Sequence, residues 1–104
     1  MAKAAYDNDS EVLEVTRNEV KEPSKYKVLM LNDDYTTMEF VIDVLRQIFG
    51  HSAVKATSIM LSIHNYGMGL CGVYTKEIAE AKINKVHNAA RAKGFPLKCE
   101  MEKE

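Results

Sequence analysis

The residues best suited to chemistry lie in the polar run from Asn32 to Asp34. Their side chains offer an amide oxygen and two carboxylates, which are ligands for a metal cation or, as a carboxylate pair, an acid and a base. Asn and Asp also hydrogen-bond their own backbone and favour turns. Because adjacent side chains in a turn diverge, the spacing alone favours a solvated turn over a paired carboxylate site.

The three histidines differ in their surroundings. His64 shares a helical stripe with Met60 and follows Ile63 directly. A histidine in such a place is more often a half-buried structural residue than a ligand. His51 and His87 are expected to be ordinary surface residues.

No catalytic or metal-binding motif accompanies these residues. The chain has no glycine-rich phosphate loop, nucleophile elbow or zinc-protease signature, and its two cysteines and three histidines match no zinc spacing. Cys71 and Cys99 lie in apolar segments and are predicted to be small buried hydrophobes with free thiols. A net charge of −1 gives no electrostatic argument for nucleic acid. We therefore expect a protein without enzymatic activity, cofactor or metal.

The N-terminal segment differs in composition from the rest of the chain. Residues 1–24 hold three basic and six acidic residues, whereas residues 25–104 hold eleven basic and nine acidic residues. With few large apolar side chains, this segment cannot bury enough surface to offset the entropy of ordering. We expect a flexible acidic extension over 1–23, followed by one folded domain over 24–104. The segment has no apolar stretch of a secretory signal and the chain has no run long enough to span a bilayer, so a cytoplasmic protein that does not bind membranes is expected.

Hydrophobic periodicity indicates six elements. They are a strand over 25–31, helices over about 38–49 and 53–66, a strand over 68–74, a helix from 76 to about 93 and a strand over 97–102. The first strand is apolar on both faces near its end, which favours a central position. Gly69 and Gly72 in the second strand indicate a bulge or a close backbone approach.

Cap signals support these boundaries. Thr36 and Glu39 have the spacing of a capping box at the start of the first helix. Ser52 and Thr75 are suitable N-caps for the second and third helices, and Gly67 is a suitable stop for the second. The order βααβαβ then predicts an α+β fold, a two-layer sandwich of three helices against a three-stranded antiparallel sheet.

Three separated segments of the chain have distinctive residue patterns, which read NDDYTTMEFV over 32–41, ATSIMLSIH over 56–64 and CGVYTKEIAE over 71–80. Together they resemble ClpS, the family of bacterial adaptors for the ClpA or ClpC unfoldase of the ClpP protease. The resemblance covers about residues 25–103, in the family's order and spacing.

What the resemblance implies is recognition of N-degrons, which are proteins whose first residue is Leu, Phe, Tyr or Trp, by a monomeric adaptor. The family's clamp for the N-terminal amino group falls on Asn32, Asp33 and His64, with Asp34 beside them. Its hydrophobic pocket and its unfoldase-contacting surface fall on two further sets. The pocket set is Thr36, Met38, Val41, Met60, Ile63 and Leu97, and the surface set is Glu77 and Lys82.

The implied chemistry is consistent with the residue types. An α-ammonium group has three N–H donors and a positive charge, so it needs only acceptors. These acceptors are the Asn32 amide oxygen, the Asp33 carboxylate and a ring nitrogen of neutral His64.

The alternative interpretation is an interaction domain that docks on an unfoldase or a ribosomal partner without reading N-termini.

Two residues depart from the family's usual pattern. Thr37 stands where many members have proline, which predicts a less rigid loop before the helix. Ile63 stands where valine is common, and one methylene in such a wall changes a preference by about 1–3 kcal/mol. The ranking among the four first residues therefore stays open.

Overall fold

A computed structural model describes residues 23–104 of the chain. The predicted extension over 1–23 lies outside the described residues, apart from Pro23. The elements follow in the predicted order: β1 (Lys25–Leu31), α1 (Met38–Gln47), α2 (Ala53–Tyr66), β2 (Met68–Thr75), α3 (Lys76–Ala92) and β3 (Lys98–Lys103).

The sheet has β1 at its centre, with β2 and β3 antiparallel on either side. The pairing of β1 with β2 shifts between Val28 and Leu29, whose partners are Gly72 and Leu70. Cys71 is therefore the extra residue of a β-bulge. The central position of β1 and the irregularity at the glycines of β2 are both confirmed.

The core lies between the three helices and one face of the sheet. Val28 and Met30 of β1 are fully buried on that face, together with Leu45 of α1. The Phe40 and Phe95 rings meet edge to face, with centroids 5.1 Å apart. Such a pair contributes about 0.5–1.5 kcal/mol beyond its buried area. The structure thus confirms the α+β sandwich, and no helix within residues 23–104 is long and apolar enough to cross a membrane.

The predicted capping box at the start of α1 is wrong by one residue. Thr37, not Thr36, is the N-cap, and its Oγ1 accepts a hydrogen bond from the Phe40 N–H at 3.1 Å. Thr36 is instead bound to Asp33 in the preceding loop. The helix also ends earlier than expected, at Gln47.

The boundaries of α2 follow the sequence signals closely. The Ser52 side chain accepts from the Lys55 N–H at 3.1 Å, and Gly67 ends the helix in the left-handed region with φ of 90°. Thr75 takes the N-cap position of α3 in extended conformation, but without a capping hydrogen bond from its side chain.

Candidate functional site

A cavity of about 250 Å³ opens between the loop after β1, the start of α1 and the second half of α2. It brings together nine of the ten residues that the resemblance assigns to the clamp and the pocket. They are Asn32, Asp33, Asp34, Thr36, Met38, Val41, Met60, Ile63 and His64.

The loop from Asn32 to Thr36 is held in shape by one carboxylate. Asp33 Oδ1 accepts from the Tyr35 N–H at 2.8 Å and from the Thr36 N–H at 2.7 Å. Asp33 Oδ2 accepts from Thr36 Oγ1 at 2.7 Å. These three hydrogen bonds hold the chain in a turn, as the Asn-Asp-Asp run predicts.

Those contacts also fix the ionisation of Asp33. Partial burial raises the pKa of its carboxyl group, but the hydrogen bonds from Thr36 and Tyr35 and the charge of Arg91 lower this pKa on balance. An ionised carboxylate has about four acceptor positions. Since three are used within the loop, Asp33 brings a negative charge to the site and retains capacity for about one further donor.

A backbone contact places Asn32 beside the end of α2. The Asn32 N–H donates to the Gly67 carbonyl at 2.9 Å, and the Gly67 N–H donates to the Ile63 carbonyl at 2.9 Å. His64 lies in the last turn of the same helix. Asn32, Asp34 and His64 are all exposed, so their acceptor atoms are available to a ligand.

The apolar wall of the cavity comes from the two helices. Val41, Met60 and Ile63 are buried, whereas Met38, the first residue of α1, is 48% exposed. A methionine at such a margin adapts to ligands of different shape because its side chain is unbranched and flexible. The cavity therefore has a buried floor and one adjustable apolar edge.

Leu97 does not line the cavity. It is 1% exposed and belongs to the core. The segment around it is held by Arg91, whose Nη1 donates to the Phe95 carbonyl at 2.9 Å and to the Leu97 carbonyl at 2.8 Å. Arg91 was not predicted as a site residue; its only signal in the sequence is a basic residue in the last turn of α3, where the helix dipole favours one.

Glu77 and Lys82 lie on different sides of α3. They are five positions apart in the sequence, which places them about 140° apart around a helix of 3.6 residues per turn. Glu77 is exposed in the first turn. Lys82 is half-buried, and its Nζ donates to the Ile48 carbonyl at 2.8 Å. Lys82 thus has a structural contact that the sequence did not indicate.

The expectation for the other two histidines is wrong, because each bonds the backbone of an outer strand. His51 Nε2 lies 2.6 Å from the Cys71 carbonyl at the bulge of β2, a contact that requires a proton on this nitrogen. His87 Nε2 accepts from the Cys99 N–H of β3 at 3.0 Å. The two histidines satisfy backbone groups at the edges of the sheet.

Comparison with known proteins decides the family. Residues 21–100 match the family model described as the ATP-dependent Clp protease adaptor protein ClpS. The chain belongs to the ClpS family. The ClpS protein of Desulfatibacillum aliphaticivorans is 50% identical over 104 residues, which is 100% of both chains. That of Desulforapulum autotrophicum is 58% identical over 82 residues, 79% of each chain.

A solved ClpS structure shares the fold. The structure of Agrobacterium tumefaciens ClpS2 bound to L-phenylalaninamide matches with a TM-score of 0.77 and 37% sequence identity, and the match covers 80% of this chain and 100% of that one. The chain is thus a ClpS adaptor of the Clp protease and not an enzyme.

Proposed function

We propose that this ClpS-family chain binds proteins through a free N-terminal Leu, Phe, Tyr or Trp and delivers them to the ClpA or ClpC unfoldase of the ClpP protease. The observation that carries the proposal is one cavity lined both by exposed acceptors for a cation and by buried apolar side chains.

The polar lining suits an α-ammonium group. Asn32 and His64 offer a carbonyl oxygen and a ring nitrogen, and Asp33 and Asp34 add negative charge. Hydrogen bonds that involve a charged group contribute about 1.5–3 kcal/mol each. An acetylated N-terminus has neither the charge nor the three donors, so it loses this set of interactions.

The apolar lining suits one side chain. A cavity of about 250 Å³ is smaller than the clefts of about 300–1,000 Å³ that hold drug-sized ligands. Burying a Leu or Phe side chain there contributes about 1.5–3 kcal/mol. The ligand of the Agrobacterium relative supports this assignment, because L-phenylalaninamide combines a free amino group, a phenyl ring and an amide in the place of the first peptide bond.

The site is tested with a fluorescent peptide that begins with Leu, by anisotropy. Asn32→Ala and His64→Ala should each weaken binding at least about tenfold, which is the loss of one charge-assisted hydrogen bond. Asn65→Ala is the matched control, since Asn65 is exposed beside His64 and does not line the cavity. Unchanged binding by both site variants would contradict the proposal.

The same variants separate the alternative function. If the chain docks on an unfoldase or a ribosomal partner without reading N-termini, it binds no N-degron peptide, and Asn32→Ala and His64→Ala change nothing. The adaptor proposal requires that both variants lose the peptide and still bind the unfoldase, with Glu77 and Lys82 assigned to that second surface.

Delivery is tested by removing residues 1–23. All nine lining residues lie between positions 32 and 64, so the truncated protein should bind the Leu peptide with unchanged affinity. We expect it to fail in delivering an N-degron reporter to the unfoldase and protease. Normal degradation of the reporter would show that the extension has no part in delivery.

A further inference from the structure

We propose that Gly69 of β2 sets the width of the apolar pocket by leaving room behind Ile63, and so decides which first residues the protein prefers. The inference rests on the proposed function, and it adds a positioning residue that lies outside the cavity lining.

Gly69 faces α2 at very close range. A Cβ on Gly69 would lie 2.7 Å from Ile63 Cγ1, 3.1 Å from the Ile59 carbonyl oxygen and 3.2 Å from Ile59 Cγ2. The first contact is shorter than real Cβ atoms tolerate. Ile63 Cγ1 is one bond from Cβ, and the Ile59 oxygen belongs to the helix backbone, so neither can move aside by rotation of a flexible end.

Ile63 has little space on its other sides. It is 4% exposed, and it lines the cavity. Packed interiors transmit displacement instead of absorbing it. A methyl group on Gly69 therefore pushes Ile63 towards the open volume of the cavity and shifts the turn of α2 that also carries Met60 and His64.

The glycine is required by packing and not by backbone conformation. The described glycines with positive φ are Gly50, Gly67 and Gly94, and Gly69 is not among them. Alanine can therefore adopt the backbone conformation of Gly69, and the added methyl group is the only steric change. That makes Gly69→Ala a direct probe of the space behind Ile63.

The test compares peptides that begin with Trp, Phe, Tyr and Leu. For Gly69→Ala we expect binding of the three aromatic peptides to fall about tenfold or more relative to the Leu peptide, since one methylene in a pocket wall is worth about 10–200-fold. Adding Ile63→Ala should restore the ratio, because alanine lacks the Cγ1 atom that a Cβ on residue 69 would meet and so leaves nothing to push into the cavity.

Three results separate a pocket role from a loss of folding. Gly72→Ala makes the same change in the same strand, where a Cβ meets the Tyr74 ring and not α2, and should leave the ratio unchanged. Thermal unfolding shows whether each variant folds. If Gly69→Ala alone does not fold, it is compared in the Ile63→Ala background, where the methyl group on residue 69 meets no Cγ1 atom and should leave the ratio unchanged. An equal loss for all four peptides, or no recovery in the double variant, would overturn the inference.

Failure of the proposed function gives a different result. If the unmodified protein binds acetylated and free peptides equally, the proposed function itself fails.

Discussion

At the residue scale, the carboxylate of Asp33 both orders the loop and gives it a negative charge. Its carboxylate receives three hydrogen bonds from Tyr35 and Thr36, and these contacts keep it ionised. The loop is therefore already ordered around a negative charge before any ligand arrives. Such preorganisation reduces the cost of binding a cation.

His87 makes the stability of the fold depend on pH. Burial, together with the charges of Arg91 and Lys98, lowers the pKa of His87 from its usual 6.5. The unfolded chain then binds the proton more tightly than the folded chain. The contribution of His87 is complete above pH 6.5 and is lost as the pH falls through the lower pKa of the folded state.

The thermal unfolding midpoint should therefore fall between neutral pH and about pH 5, in the range where histidine changes charge. His87→Gln retains an acceptor for the Cys99 N–H but has no group that takes up a proton, so it should be about as stable at neutral pH and should lose less on acidification. A variant with the same acid dependence as the original protein would show that His87 does not cause it.

The sequence predicted the chemistry of the site residues better than their contacts. Asn32, Asp33 and His64 carry functional groups that follow from residue type alone. The backbone bonds of His51 and His87 reach partners 20 and 12 residues away, and no local pattern marks such contacts. Arg91 was missed for a different reason, because its partners lie only four and six residues away but in a segment after α3 that has no regular pattern.

At the element scale, α1 is fixed at both ends by single side chains. Thr37 caps its start with φ of −75° and ψ of 152°. This φ is close to the value that proline imposes, so threonine retains a similar chain direction and adds a hydrogen bond. The Thr37 cap and the Asp33 bonds therefore hold the loop before α1 where the family's usual proline is absent.

Replacing the cap should destabilise α1 measurably. Thr37→Ala removes the acceptor for the Phe40 N–H and should lower the free energy of unfolding by about 0.5–2 kcal/mol in chemical denaturation. Thr37→Ser retains the hydroxyl group and should restore most of that stability. Equal stability of the alanine variant would show that water satisfies this N–H equally well.

The other end of α1 depends on α3. Lys82 Nζ donates to the Ile48 carbonyl and lies 5.9 Å and 5.3 Å from the ring centroids of Phe49 and Tyr74. This tertiary contact explains why the sequence placed the end of α1 too late. The apolar pattern continues through Phe49, but the chain leaves the helix after Gln47.

Lys82→Met should therefore lower the free energy of unfolding by about 1.5–3 kcal/mol, through loss of a charged hydrogen bond. Lys85→Met, at an exposed position of the same helix, should have little effect. Both are measured by denaturation. If the two variants are equally stable, Lys82 does not hold α1, and any loss of unfoldase binding by Lys82→Met reports a direct contact.

At the scale of the whole molecule, the strand order assembles the site. Leu31 at the end of β1 pairs with Met68 at the start of β2. The segment that follows β1 and the segment that precedes β2 must therefore meet at the same end of the sheet. These segments are the loop from Asn32 to Thr36 and the end of α2 with His64.

The fold class and this meeting point follow from the pattern of elements along the chain. The opening of the cavity cannot be predicted from that pattern, because it depends on how closely α2 approaches the sheet. That distance is set by Gly69 against Ile59 and Ile63, and the sequence indicated only that a glycine within a strand permits some close approach. Leu97 was assigned to the pocket, but it is 1% exposed in the core and does not line the cavity, a depth that residue type alone does not indicate.

An array of peptides with all twenty first residues, each with a free and an acetylated N-terminus, tests recognition of N-termini most directly. We predict that the intact protein binds free peptides beginning with Leu, Phe, Tyr and Trp and none of the acetylated copies. Equal binding of the free and acetylated forms, or no dependence on the first residue, would contradict recognition of an N-terminal ammonium and its side chain by this cavity.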